Sequence, residues 1–119
     1  MNFDNNKPIY IQIIEDIKKK LIRGDIKLGD KMTSQRELAK EIKVNPNTVQ
    51  RAYREMESMG LVKTLRGQGT FITEEIDTLK EIKNDMASEV LIKFIQDMRS
   101  LGFEDDEMIS LIKEYQQKL

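Results

Sequence analysis

Apolar positions recur along this chain in five helical stripes, interrupted once by a short alternating stretch. Ile9, Tyr10, Ile13, Ile14, Ile17, Leu21 and Ile22 step at three and four, which predicts a helix from Pro8 to about Arg23, ended by Gly24. Lys18, Lys19 and Lys20 crowd its C-terminal half, where positive charge suits the helix dipole. Gly29-Asp30 signals a turn, and a short strand is expected near Lys31-Met32. Ser34-Gln35-Arg36-Glu37 has the form of a capping box, in which Ser34 and Glu37 each serve the other's unpaired N–H. It opens a short helix with Leu38, Ala39 and Ile42 on its buried face, stopping near Lys43. A third helix follows, capped by Asn45, with Pro46 at its first position and Gly60 beyond its end. Val49, Ala52, Tyr53, Met56 and Met59 form its apolar face.

Only Val44 and Asn45 separate the second and third helices, the layout of a helix-turn-helix. After Gly60 the period shortens. Leu61 to Arg66 and Thr70 to Thr73 read as two strands joined by Gly67-Gln68-Gly69, a hairpin that forms a wing. From Glu75 the helical period returns through Ile76, Leu79, Ile82, Met86, Val90, Phe94, Met98 and Leu101, with Ala87, Leu91 and Ile95 widening the stripe. Gly102-Phe103 breaks it. Glu104 to Glu107 then supply the acidic first turn of a last helix, whose apolar face is Met108, Leu111, Ile112, Tyr115 and Leu119. The expected fold is mainly α with a small β-wing. A winged helix-turn-helix spans residues 1–73 and a C-terminal helical hairpin spans 74–119.

That hairpin is too short to bury a core of its own. Its stripes call for a partner, and a second copy of the chain is the simplest one. Leu79, Ile82, Met86, Val90, Phe94, Met98, Leu111, Ile112 and Tyr115 are the expected homodimer contacts. The Met and Phe residues among them fit a dimer core better than a ligand box.

Composition narrows the chemistry. The 119 residues include no His and no Cys, which removes the commonest general bases, thiol nucleophiles and zinc ligands. An enzyme is not expected, nor a cofactor or a metal; Glu104 to Glu107 read as a charged helix start. Without cysteine there is no disulfide framework. There is no apolar run long enough to span a membrane, and Met1 to Asn6 lack the pattern of a signal peptide. A cytoplasmic protein is expected. The net charge of −1 conceals a split. Residues 1–73 carry 14 Lys and Arg against 9 Asp and Glu, and residues 74–119 carry 6 against 12. A basic module followed by an acidic one suits a nucleic-acid binder with an appendage that avoids the phosphates.

The outer face of the third helix offers Asn47, Thr48, Gln50, Arg51 and Arg54, the amide, hydroxyl and guanidinium groups that read base edges and grip phosphates. Arg51 and Arg54 could instead pair with Glu37, Glu55 or Glu57. Tyr53 could stack on a base, but its spacing with Val49 and Met56 assigns it to the core. At the wing, Arg66-Gly67-Gln68 places an arginine on a glycine-rich tip, which suits a narrow, electronegative minor groove.

Taken in order, Pro8-Ile9-Tyr10-Ile11-Gln12-Ile13, Gly24-Asp25-Ile26, Gly29-Asp30-Lys31-Met32, Ser34 to Ala39, the third helix, and Gly60-Leu61-Val62 with Arg66 to Ile72 resemble the DNA-binding domain of GntR-type bacterial transcription regulators. The short tail and Asn45-Pro46-Asn47-Thr48-Val49 resemble the YtrA-type subfamily, whose members lack a large effector domain and dimerise through the tail. The resemblance implies that Arg36 contacts DNA beside the recognition helix. It also implies that Asn47, Thr48 and Gln50 face the major groove, and that Arg66 and Gly67 lie along the minor groove. The chain departs from many relatives at Pro46 and Gln50, where they carry arginine, and at Leu28 and Thr33, where they carry proline. The guanine contacts of those arginines therefore do not transfer, and Gln50 would favour adenine. The expected function is a homodimeric, sequence-specific regulator, a repressor acting on a palindromic double-stranded DNA operator. Control of transport genes and modulation by a small effector of unknown identity follow by analogy. The alternative is a winged-helix scaffold for protein partners.

Overall fold

The computed structural model describes the whole chain, Met1–Leu119. In order it forms α1 (Ile9–Arg23), α2 (Gln35–Ile42), α3 (Pro46–Ser58), β1 (Val62–Leu65), β2 (Gly69–Ile72), α4 (Ile76–Ser100) and α5 (Asp105–Lys118). Two compact units divide at Ile82/Lys83, inside α4. The sequence pattern changes earlier, at 73/74, where strand gives way to helix.

In the first unit, Ile13, Ile14, Ile17 and Leu21 of α1 are buried with Ala39 of α2 and with Val49, Ala52, Tyr53 and Met56 of α3. Leu61, Val62 and Ile72 of the hairpin complete this core. Each large side chain removed from water here contributes about 1.5–3 kcal/mol. The helix ends follow local chemistry. Gly24 adopts φ 84°, and the Asp25 N–H returns to the Lys20 carbonyl at 2.9 Å, closing α1. Ser34 Oγ accepts from the Glu37 N–H at 3.2 Å. The Glu37 carboxylate makes no return bond, so only half of the expected capping box forms. Asn45 Oδ1 accepts from the Asn47 N–H at 2.8 Å and Pro46 occupies the first turn of α3, as expected. α3 ends at Ser58 with Met59 as its C-cap, and Gly60, at φ 76°, supplies the left-handed close expected of it: the Gly60 N–H bonds the Glu57 carbonyl at 3.0 Å and the Leu61 N–H reaches back to the Met56 carbonyl at 2.9 Å.

The wing is an antiparallel pair with Val62 opposite Ile72, Lys63 opposite Phe71, Thr64 opposite Thr70 and Leu65 opposite Gly69. The expected strand near Lys31-Met32 is a single bridge, Lys31 to Phe71, on the free edge of β2. Its bonds run from the Met32 N–H to the Thr70 carbonyl and from the Ile72 N–H to the Asp30 carbonyl, both at 2.8 Å. β2 therefore lies between β1 and the segment that leads into α2.

In the second unit, α4 runs on to Ser100 and Gly102 turns the chain at φ 89°. The Phe103 N–H closes the helix on the Met98 carbonyl at 3.1 Å. Glu107 accepts from the Glu104 N–H at 3.0 Å, and Arg99 pairs with Asp105 at 3.1 Å across the corner. Met108 is buried, whereas Val90, Leu91, Ile92, Leu101, Ile109 and Tyr115 are all more than half exposed. No helix is long and apolar enough to cross a membrane, and no cluster of His, Cys, Asp or Glu could hold a metal ion.

Candidate nucleic-acid interface

Asn47, Gln50, Arg51 and Arg54 recur at three, four and seven, so they share one face of α3, and all four are exposed. The opposite face is Val49, Ala52, Tyr53 and Met56, each at most 3% exposed. Burial of that face fixes the direction of the polar one. Thr48 lies to the side and is half-buried. The Tyr53 hydroxyl donates to the Thr33 carbonyl, which ties α3 to the residue before the α2 cap. Burial, with Glu41 a lesser cause, pushes this phenol up to about 12. Tyr53 is thus a core residue, as its spacing indicated, and not a stacking one.

None of Arg36, Arg51, Arg54 and Arg66 forms an ion pair; Glu37, Glu55 and Glu57 leave them free. Arg51 instead lies over the Tyr10 ring, 3.9 Å from its centroid, and donates to the Tyr10 hydroxyl at 3.2 Å. The alternation of α1 did not reveal that contact, because Tyr10 counted there as one more apolar position. Arg36 is exposed on the first turn of α2. At the wing tip, Arg66, Gly67 and Gln68 are exposed, and the Gln68 N–H bonds the Leu65 carbonyl at 2.9 Å. Gly67 holds φ 77° at the third position of this turn, where a type II turn requires positive φ. The first unit thus carries four guanidinium groups without an acidic partner, three of them free and Arg51 resting on Tyr10, beside exposed amides on α2, α3 and the wing.

Residues 9–72 match the family model described as "Bacterial regulatory proteins, gntR family". The chain belongs to the GntR family. It is 47% identical over 113 residues to an uncharacterised HTH-type transcriptional regulator, YhcF of Bacillus subtilis, spanning 95% of this chain and 93% of that one. It is 45% identical over 111 residues to the HTH-type transcriptional repressor YtrA of the same organism, spanning 92% and 85%. Among solved structures, a GntR family transcriptional regulator from Listeria monocytogenes superposes with a TM-score of 0.88 at 39% identity, over 94% of this chain and 98% of that one. The likeness to YtrA and to this solved GntR structure extends beyond the matched domain into the two-helix tail. This GntR-family protein is a transcriptional regulator with a winged-helix fold, not an enzyme.

Proposed function

We propose that this GntR-family protein is a homodimeric repressor that binds a palindromic double-stranded DNA operator. The observation that carries this reading is the face of α3. Asn47, Gln50, Arg51 and Arg54 stand exposed on one side of a helix whose other side is sealed in the core. A helix so presented enters a major groove, where amides pair with adenine edges and guanidinium groups with guanine or phosphate. Thr48 adds a hydroxyl at the margin. Arg36 contributes from α2, and Arg66, Gly67 and Gln68 track the flanking minor groove.

Residues 1–73 serve as the DNA-binding domain and 74–119 as the dimerisation domain. Val90, Ile112 and Tyr115 are exposed in the single chain, and Leu79, Met86, Phe94, Met98 and Leu111 are half-covered. A second tail would bury them; Ile82 is already buried in its own chain. Two recognition helices about one DNA turn, ~34 Å, apart would then read two half-sites. A small effector acts by changing that separation. By likeness to the repressor YtrA the regulation is repression, and transport genes are the target offered by analogy.

Fluorescence anisotropy with a duplex from the protein's own promoter, across a salt series, tests this. Binding should prefer that duplex over a scrambled one and weaken steeply with salt as counterions are released. Binding that is weak, sequence-blind and flat with salt overturns the proposal.

A further inference from the structure

Lys31 has no role in the interface above, yet its backbone is pinned to the wing. It pairs with Phe71 on the free edge of β2, and Phe71 pairs with Lys63 on the other side. Directly opposed residues share a face of a sheet, so Lys31, Phe71 and Lys63 form a row across three strands. Gly69 is two residues from Phe71 and lies on the same face. A Cβ at Gly69 would stand 2.9 Å from Lys31 Cε, 3.7 Å from Nζ and 4.0 Å from Cδ. The lysine stem therefore runs diagonally over Gly69 toward the tip of the hairpin. The glycine leaves room for it, and a side chain at 69 would displace it.

Lys31 is exposed and forms no ion pair, unlike Lys7, Lys20, Lys93 and Lys118. Its charge lies in a groove between the start of α2 and the wing, lined by Gln35, Gln68, Gly69 and Thr70, with Glu37 as the one acid. The amide and hydroxyl groups beside it can donate to the same anion. We infer that Lys31 adds a cation to the wing, beside Arg66 and Lys63, binding a DNA phosphate on the strand beside the minor groove that Arg66 enters. This rests on the DNA-binding reading above. The ligand is a duplex phosphate, since a point charge on a flexible stem carries no base preference.

The test compares wild type, Lys31→Gln and Lys31→Arg by anisotropy, using the promoter duplex and a scrambled duplex of equal length across a salt series. Lys31→Gln should weaken binding to both duplexes by the same factor, about 30-fold near 0.15 M salt, and lower the salt slope by about two, one for each protomer of the proposed dimer. Lys31→Arg should keep the wild-type slope. A thermal melt checks that both variants fold like wild type. If the wild-type slope is steep and Lys31→Gln leaves slope and affinity unchanged, the role of Lys31 is overturned while DNA binding stands. A loss confined to the promoter duplex with an unchanged slope also overturns it, because that is base readout. A flat wild-type slope overturns both proposals.

Discussion

Arg51 of α3 is held by Tyr10 of α1, with its guanidinium 3.9 Å from the ring centroid and donating to the hydroxyl. The contact spans 41 positions of sequence and links the exposed face of α3 to the first turn of α1. A cation over an exposed aromatic ring contributes about 0.5–1 kcal/mol. A double-mutant cycle of Tyr10→Leu with Arg51→Ala, read by urea unfolding, should show coupling of that size. Tyr10→Phe should retain most of it, since the ring remains. Strictly additive effects would mean that Arg51 is not held.

Gln50 and Arg36 should separate sequence reading from grip. Gln50→Ala should narrow the affinity gap between promoter and scrambled duplexes. Arg36→Ala should cost about 1–3 kcal/mol of binding if the arginine contacts a base edge bidentately. Unchanged binding profiles for both variants would mean that another face of the protein meets DNA.

Tyr53 predicts an alkaline limit to stability. Its folded value is raised from 10.0 to about 12, chiefly by burial. The unfolded chain therefore loses this proton first. The contribution is complete below pH 10 and falls away as the pH rises from 10 to 12, by on the order of 2 kcal/mol. Tyr53→Phe gives up the bond to the Thr33 carbonyl, costing about 1 kcal/mol at neutral pH. It should also flatten the stability curve between pH 10 and 12 relative to wild type. Parallel curves would show that Tyr53 does not titrate differently on folding.

Lys43 is the one residue other than glycine with positive φ, at 55°. It forms the turn between α2 and α3, and a left-handed conformation costs an L-residue about 1–2 kcal/mol. Lys43→Gly removes that cost and adds about 0.5–1 kcal/mol of unfolded-state entropy. The net expectation is a more stable protein by about 0.5–1 kcal/mol, seen as a higher urea midpoint at constant slope. A lower midpoint would show that the lysine side chain makes a contribution larger than its strain.

Val90 is 72% exposed in the single chain, so Val90→Asp should cost the isolated fold little. Placed in the proposed dimer contact, the same carboxylate would be buried without a partner. Sedimentation should then report a monomer at concentrations where wild type is a dimer, with helix content by circular dichroism unchanged. A variant that stays dimeric excludes this face of α4.

Much of this molecule was legible in its sequence because local chemistry agrees with the fold. The stripe Val49, Ala52, Tyr53, Met56 gave the buried face of α3, and Asn45-Pro46 gave its start, because cap and period are properties of neighbouring residues. The hairpin followed from Gly67 and the alternation around it. Contacts that depend on distant pairing were not legible. Nothing local to Tyr10 names Arg51 as its partner, and nothing local to Lys31 shows that its stem crosses Gly69. The Ser34-Gln35-Arg36-Glu37 motif promised two reciprocal bonds and supplies one, because the glutamate side chain is free to turn to solvent. Lys43 turns the chain between α2 and α3 in a left-handed conformation with no glycine there to mark it, and only the backbone angle reveals it.

The bridge between Lys31 and Phe71 also sets where the chain can change length. Side chains along a strand alternate with period two, so a single residue inserted between Asp30 and Ser34 would shift the pairing by one place and turn Lys31 to the other side of the sheet. The same insertion would pull Thr33 away from the Tyr53 hydroxyl and move the α2 cap. Divergent relatives should therefore gain and lose residues between Gly24 and Gly29, and keep the count constant from Asp30 to Ser34.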